Sequence, residues 1–379
     1  MSGTESMIKT IELKNFKNHL DTKITLDDSN LHALVGPNSS GKTTVLQALY
    51  YLSLLREIPY DKVFRGERDP KYLITLGNKE SQVSVSGLLE KRHNDWSVSL
   101  RWKTNPNGHL VPIAQWITNG DSNGTDGLEI TIPALIRTSL NHTAYLKLSA
   151  EKLAQAAYSE EVAPKIGYDG NGLAPFLDSL KNEAPVKFKE LEQFLRQIVP
   201  GVREIGIRRA IVPVNQRRSI EINGQVVPYE ETKEVTGQEV IFNMISGERI
   251  PAHAMSEGTI IALGLLAVVL SPNRPNLLLI DDIAQGLHPN AQLELIKVLK
   301  KIPQMNPGLQ IIFTTHSPYI IDELEPSQVH VLNTTPEGYA VVRRMDEHPD
   351  VQRGLQVLTT GEFWDAEGEE WILAGETSG

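Results

Sequence analysis

The sequence predicts an α/β fold in which one domain is assembled from both ends of the chain and a mixed lobe is inserted between them. Three observations carry this. The first and last thirds alternate short apolar strands with helices, whereas the middle mixes the two without a clear order. The glycine-rich turn from Gly36 to Thr43 lies between an apolar strand, Leu31 to Val35, and a helical stretch from Thr43 to Leu55. A second short apolar strand, Leu277 to Ile280, ends in two carboxylates, Asp281 and Asp282.

The elements follow in order. Ile8 to Leu13 and Asp21 to Leu26 alternate polar and apolar residues on either side of a turn at Asn15–Asn18, a β-hairpin pattern. The helix after the glycine-rich turn spaces Leu46, Leu49, Tyr50 and Leu54 along one face. Val83 to Leu89 and Trp96 to Trp102 read as antiparallel strands, and the Asn-, Gly- and Pro-rich stretch from Thr104 to Asn123 as a loop or lobe junction. Ala150 to Tyr158 and Val186 to Val199 are expected to be helical, with a loop at Gly167–Gly172 between them. Val202 to Ile222 returns to strand, and Asn223-Gly224 is a hairpin-turn signal. A helix from Thr259, a helix from Ala291 to Lys301, a strand from Gln310 to Thr314 and a helical segment from Tyr319 to Leu324 complete the pattern. The expected boundaries are a discontinuous core of residues 1–60 and 246–345, an antiparallel layer with a mixed lobe over 61–245, and a tail segment over 346–379.

With 379 residues the chain can bury a large core. A net charge of −10 argues against broad adhesion to nucleic acid or to an anionic membrane, although a local basic groove is compatible with it. The sequence has no cysteine, which excludes disulfides and thiolate metal sites and fits a cytoplasmic location. Met1 to Lys14 lacks an apolar signal segment, and the longest apolar run, Thr259 to Leu270, is too short to span a bilayer, so no membrane partner is expected.

Gly36-Pro37-Asn38-Ser39-Ser40-Gly41-Lys42-Thr43 matches G-x-x-x-x-G-K-[ST] in full, with Thr44 following, and it sits between a strand and a helix as that motif requires. Backbone N–H groups of such a loop ring phosphates at a helix N-terminus, the lysine reaches the β- and γ-phosphates, and the Thr43 hydroxyl binds Mg²⁺. The expected ligands are therefore ATP and Mg²⁺. Asp281 is expected to hold the metal, and Asp282 to orient or deprotonate the attacking water. Thr314-Thr315-His316-Ser317 follows another strand, and a histidine at a strand's carboxyl end in an α/β sheet faces the ligand crevice. Met255-Ser256-Glu257-Gly258-Thr259 precedes a helix, where a hydroxyl, a backbone N–H and the helix dipole can meet a phosphate.

The order of these motifs, with Gly286-Leu287-His288-Pro289 and the opening Ile11-Glu12-Leu13-Lys14-Asn15-Phe16-Lys17, resembles the ABC ATPase superfamily. Within it the chain is similar to the SMC- and RecF-like branch, and to stand-alone AAA-labelled ATPases related to the overcoming-lysogenization-defect nucleases. The specific motifs cover Met7 to about Ile58 and Ser246 to about Leu332. The resemblance implies a P-loop NTPase with an ABC-type head, and a head-to-head homodimer that can build into higher oligomers. Each ATP would lie between one copy's P-loop and the other's Ser256, Glu257 and Gly258. It implies that His316 is the switch histidine, that Gly286–Pro289 is the D-loop, and that the Asn15–Asn18 turn lies near adenine. It also implies a sensor or motor subunit of a bacterial anti-phage system of the PARIS or Septu kind, acting with a separately encoded nuclease or toxin. A DNA-binding repair ATPase of the RecF kind and a slowly hydrolysing ATP-dependent scaffold are the alternatives. One departure matters: the family carries Glu after the Walker B Asp, and this chain has Asp282. Its carboxylate is one methylene shorter, about 1.5 Å of reach, which points to slow turnover. Gln82 is a candidate Q-loop residue, beside its plainer reading as a solvated residue at a strand start.

Arg208-Arg209 and Arg217-Arg218 could line a phosphate-backbone groove or form solvated faces. The acidic, aromatic stretch Gly361–Ile372 could dock a partner or pin a terminal helix to the core through Phe363, Trp364 and Trp371. About sixty residues follow His316, fewer than an ordinary nuclease domain needs, so an effector is expected on another chain.

Overall fold

The computed structural model describes residues 6–54, 63, 70–89, 94–104, 110–118, 121–126, 140, 142–222, 225–305 and 308–373. They form two compact units: one of Met1–Tyr145, Pro275–Ala284 and Ile296–Gly379, the other of Leu146–Arg274 and Gln285–Leu295.

The first unit holds two sheets. One is antiparallel. It contains β1 (Ser6–Phe16) and β2 (His19–Thr25), β4 (Glu80–Leu89), β5 (Asn94–Thr104), β6 (Leu110–Thr118) and β7 (Asp121–Asp126), in the order β2-β1-β4-β5-β6-β7. The other contains β3 (Leu31–Val35), β8 (Thr143–Leu146), β12 (Leu277–Ile280), β13 (Gln310–Thr314), β14 (Val329–Thr334) and β15 (Ala340–Arg344), ordered β15-β14-β3-β13-β12-β8. Its β14, β3, β13 and β12 run parallel, so their carboxyl ends share one rim. That rim is where an α/β sheet binds ligands.

Helix α1 (Lys42–Leu54) follows β3 and shares one core with both sheets. Leu46, Leu49 and Leu52 belong to the same buried cluster as Ile11, Phe16 and Val85 of the antiparallel sheet and Leu34, Leu279 and Ile312 of the parallel one. The sequence suggested a helix with one apolar face. Instead α1 also buries Val45, Ala48 and Ser53, because it is covered on more than one side. On β5, Trp96, Val98, Leu100 and Trp102 are buried in strict alternation, the period of a strand with one face on the core. The expected loop over Thr104–Asn123 is corrected: it holds β6 and the start of β7, joined in antiparallel register. Burial of Ala114 and Trp116 against the same core carries the sheet through this Asn- and Gly-rich stretch.

The second unit contains α2 (Ala150–Ala154), α3 (Leu173–Glu183), α4 (Pro185–Ile198), α5 (Glu257–Val269) and the strands β9 (Val202–Ile222), β10 (Gln225–Met244) and β11 (Arg249–Pro251). Helix α6 (Pro289–Met305) starts in this unit and ends in the first. The helix expected over Ala150–Tyr158 stops at Ala154, because Ala157 leaves to exchange backbone hydrogen bonds with Gln238 at 2.9 and 2.8 Å. α5 is buried all round, as its uniformly apolar sequence requires. β9 and β10 form a long antiparallel ribbon whose register runs from Val202↔Met244 to Ile222↔Gln225. The expected turn at Asn223-Gly224 lies outside the described residues.

The units fall elsewhere than the sequence boundaries. The antiparallel layer belongs with the P-loop unit because β1, at the chain start, pairs with both β2 and β4. Residues 246–274 belong with the second unit, since β11 pairs with β10. Residues 346–379 belong with the first. There α7 (Thr360–Glu367) opens with a capping box at Thr359 and Glu362 and buries Phe363 and Trp364, while Trp371 stacks edge-on with His348 at 4.8 Å. Burial of Phe363 and Trp364 pins the tail, as the second sequence reading expects.

Candidate functional site

The Gly36–Thr43 turn leaves the carboxyl end of β3 and enters α1, and only glycine fits its first position. Gly36 has φ +138°, and a Cβ there would lie 2.0 Å from the Leu332 carbonyl oxygen of β14. Pro37, Asn38 and Ser39 are exposed at the tip, Thr44 is half-buried, and Ser40 is buried with a hydroxyl that has no hydrogen-bond partner. Lys42 is also buried. Its Nζ donates to the carbonyls of Gly36 at 2.8 Å and Pro37 at 2.7 Å, so the ammonium lies across the loop. Burial pushes its pKa down, and the nearby carboxylates of Asp281, Glu369 and Asp282 oppose that shift.

The predicted carboxylates are brought to this loop. β12 and β13 run parallel with Ile280 beside Phe313, which sets Asp281 next to Thr314. The Thr43 hydroxyl donates to Asp281 Oδ1 at 2.9 Å, and the Thr314 hydroxyl donates to the same oxygen at 3.0 Å. Thr314 Oγ1 in turn accepts the backbone N–H of Asp282 at 2.8 Å. Asp281 is buried and fixed, whereas the Asp282 side chain is exposed and no hydrogen bond holds its carboxylate among the described residues. Asp282 has φ +61°, a left-handed conformation that Asp and Asn tolerate better than other residues with a Cβ. His316 is exposed beside this group. Partial burial of its ring and the Lys42 charge push its pKa down, and Asp282 opposes them.

Three contributors were not singled out from the sequence. Thr314 bridges the two aspartates. His19, fully buried in β2, donates from Nε2 to the Gly41 carbonyl at 3.2 Å while its Nδ1 meets the Thr22 hydroxyl at 2.9 Å. Glu369 lies within electrostatic reach of Lys42, and burial raises its pKa against that charge. The Asn15–Asn18 turn hinted at the second, since Asn18 Nδ2 also bonds the Ser39 carbonyl at 3.3 Å. Gln82 is half-buried in β4, and its amide donates to Ser84 Oγ at 2.8 Å, a sheet residue rather than a loop ligand.

Ser256, Glu257 and Gly258 lie in the second unit. Ser256 is the exposed N-cap residue of α5, its hydroxyl 2.8 Å from that of Thr259. A Cβ on Gly258 would fall 2.4 Å from the Gly286 carbonyl oxygen, so this segment and the Gly286–Pro289 loop pack backbone to backbone. His288 is exposed, with Nδ1 accepting from the Asn290 N–H at 3.4 Å. Of the four arginines, Arg208 pairs with Glu239 at 2.8 Å, Arg217 with Glu230 at 3.6 Å and Arg218 with Glu231 at 2.9 Å. Three of the four are thus paired with carboxylates of the opposite strand.

Comparison with known proteins agrees with this geometry. Residues 7–93 match the family described as "AAA ATPase domain", and residues 156–322 match "AAA domain, putative AbiEii toxin, Type IV TA system". The DNA replication and repair protein RecF of Lactococcus lactis subsp. lactis is 36% identical over 104 residues, 27% of this chain and 26% of that one. The SMC head bound to the C-winged helix domain of ScpA superposes with a TM-score of 0.56 at 16% identity, covering 92% of this chain and 99% of that one. Two stretches of the chain thus match AAA ATPase domains, one region resembles RecF proteins, and the fold is that of the SMC heads.

The chain spans about a quarter of the length of the RecF relatives it matches. It aligns further with the Retron Vc95 probable ATPase of Vibrio cholerae, 22% identical over 395 aligned positions, 88% of this chain and 74% of that one. An SMC head from Pyrococcus furiosus, solved with the C-terminal domain of ScpA, superposes with a TM-score of 0.56 at 14% identity, covering 93% and 100% of the two chains. The ABC-type head fold expected from the motifs is therefore the fold of this chain. Its donor set fits magnesium. The Thr43 hydroxyl and the Asp281 carboxylate are hard oxygens held at one point, and Mg²⁺ takes one or two such ligands together with phosphates and water. Among the described residues no cluster of three or more His, Cys, Asp or Glu forms an all-protein metal cage. No helix among them is long and apolar enough to cross a membrane.

Proposed function

We propose that this chain hydrolyses ATP to ADP and phosphate at the Gly36–Thr44 loop, as a homodimer whose nucleotide sites are each completed by Ser256–Gly258 of the second copy. The observation that carries the reading is the hydrogen-bonded series Thr43–Asp281–Thr314–Asp282, which ties the phosphate loop to both carboxylates through one threonine. Lys42 moves from the Gly36 and Pro37 carbonyls to the β- and γ-phosphates, and the buried Ser40 hydroxyl gains a partner there. Thr43 and Asp281 would hold magnesium, which would supply charge neutralisation at the phosphate oxygens. Asp282 accepts the proton of the attacking water, and His316 donates toward the γ-phosphate. Binding of a fluorescent ATP analogue by Lys42→Ala and Asp281→Asn tests the site. Lys42→Ala should lose binding, and Asp281→Asn should lose its dependence on magnesium; wild-type behaviour in both would end the reading.

The biological role we assign is a cytoplasmic sensor or motor subunit of an anti-phage system with a separately encoded effector. Similarity to a retron ATPase along most of the chain supports it. Co-purification from the native operon with ATP and magnesium is the test. A stoichiometric nuclease- or toxin-like chain is expected; bound DNA with DNA-stimulated turnover, and no protein, would favour the repair alternative. The paired arginines speak against direct DNA binding. The shorter reach of Asp282 is the feature that favours the slow-scaffold alternative.

A further inference from the structure

We propose that the free part of the β9–β10 ribbon is a self-association surface, on which a second copy of this chain packs face to face with the two ribbons pointing the same way. Among the described side chains of residues 211–220 and 227–236 none is buried. An isolated two-stranded ribbon is marginal in water, so this one needs a cover over its apolar side.

The register gives the ribbon two unlike faces. On one, Val212 pairs with Val235 near the base and Ile220 with Val227 toward the tip. Between them lie Val214 opposite Lys233, Gln216 opposite Glu231 and Arg218 opposite Tyr229. Ile220, Val227 and Tyr229 are 46%, 41% and 39% exposed, large for apolar side chains aligned on one face. The opposite face carries Asn215, Arg217, Ser219, Glu230, Thr232 and Glu234, with Ile211 as its large aliphatic residue.

Two observations select the occupant and its direction. Pro213 and Pro228 each withhold an N–H within the ribbon, and proline in a strand blunts an edge against addition of a further strand. The face, not the edge, is left for contact. Charge then decides between the two two-fold arrangements. With the ribbons antiparallel about the Gln216–Glu231 layer, Glu231 would face Glu231 of the second copy. With the ribbons parallel, each β9 side chain faces the β10 side chain of its own layer. Valine then meets valine at the base, Ile220 meets Val227, Gln216 meets Glu231, and the Arg218 guanidinium lies over the Tyr229 ring. Arg218 and Glu231 already form a 2.9 Å ion pair within each ribbon, so no like charges oppose each other. The face is roughly 26 Å long and 10 Å wide, below the ~800 Å² per partner of a standard interface, so the pairing is weak and reversible.

The chain has no cysteine, so single-cysteine variants give a clean test. Ile220→Cys and Ser219→Cys of the full chain are treated with a short bis-maleimide, first without nucleotide and then with ATP and magnesium. In the parallel arrangement two copies of residue 220 lie diagonally across one layer, whereas the antiparallel one separates them by ~26 Å. The expected result is a covalent dimer from Ile220→Cys at least fivefold above that from Ser219→Cys, with both labelled equally by a mono-maleimide. Adding Val227→Glu to Ile220→Cys should remove it, with the melting temperature unchanged. Equal or absent crosslinking of the two variants in both conditions overturns the proposal. Crosslinking that ATP does not alter counts against the ATP-driven dimer while leaving the ribbon contact standing.

Discussion

Asp282 gives the account its sharpest handle, because its backbone and its side chain predict opposite effects of the same substitution. The residue sits at φ +61°. A left-handed residue with a Cβ costs about 1–2 kcal/mol, less for Asp and Asn, whose short polar side chains bond locally. Asp282→Glu should therefore destabilise the fold by about 1 kcal/mol, a fall of roughly 2 °C or less in melting temperature for a chain of this size. The added methylene carries the carboxylate about 1.5 Å further toward the water. If reach limits the step, turnover rises roughly tenfold, a small part of the 10²–10⁴ that a placed base supplies. Asp282→Asn keeps the backbone conformation, so it should melt with the wild type and bind ATP as tightly, while turnover falls by about 10² or more. Steady-state phosphate release at saturating ATP, beside thermal melts, measures all three. An Asp282→Asn variant that hydrolyses at the wild-type rate would refute the base assignment. An Asp282→Glu variant with no gain would refute the argument from reach.

Other consequences follow from the same geometry. Burial pushes His19 and His32 down to about 4 and His330 to about 3, so below pH ~6.5 the unfolded chain takes up protons that the folded chain refuses. Stability should be full above that pH and fall on acidification by up to about 1.4 kcal/mol per pH unit for each histidine; a urea midpoint that is flat between about pH 7.5 and 5 would contradict this. Gly258→Ala places a methyl 2.4 Å from the Gly286 carbonyl, so turnover should drop more than about tenfold while ATP binding to Lys42 persists; undiminished turnover would show that the two loops need not touch. Arg217→Ala with Arg218→Ala breaks two ion pairs on an exposed ribbon. It should leave DNA affinity and its salt slope unchanged, whereas a slope reduced by about two would mean these arginines bind phosphates.

Legibility from sequence tracked how local each constraint is. The P-loop was readable because Gly36, Gly41 and Lys42 serve a turn whose strand and helix are adjacent in the chain. Leu277–Ile280 was readable because a fully buried parallel strand is a continuous apolar run. The role of Thr314 was not, since it depends on the register of β12 against β13. Neither was that of Glu369, which reaches Lys42 only because the tail docks on β14, where Asn333 Nδ2 donates to the Glu369 carbonyl at 3.0 Å. α1 passed for a half-buried helix because no local pattern reveals a second sheet over it. The strands within Thr104–Asn123 were hidden by turn-forming residues that sheet pairing overrode. The arginine pairs looked like a basic patch because their partners, Glu230, Glu231 and Glu239, lie on the other strand.

The central claim is that one copy's Lys42 and another copy's Ser256 share a nucleotide. Mixing two inactive variants tests it most directly. Lys42→Ala and Ser256→Arg should each lack turnover alone. In a mixed dimer one site joins an intact phosphate loop to an intact Ser256 segment, so an equal mixture should recover about a quarter of the wild-type rate for a two-fold dimer. A mixture as inactive as its components would contradict the shared site.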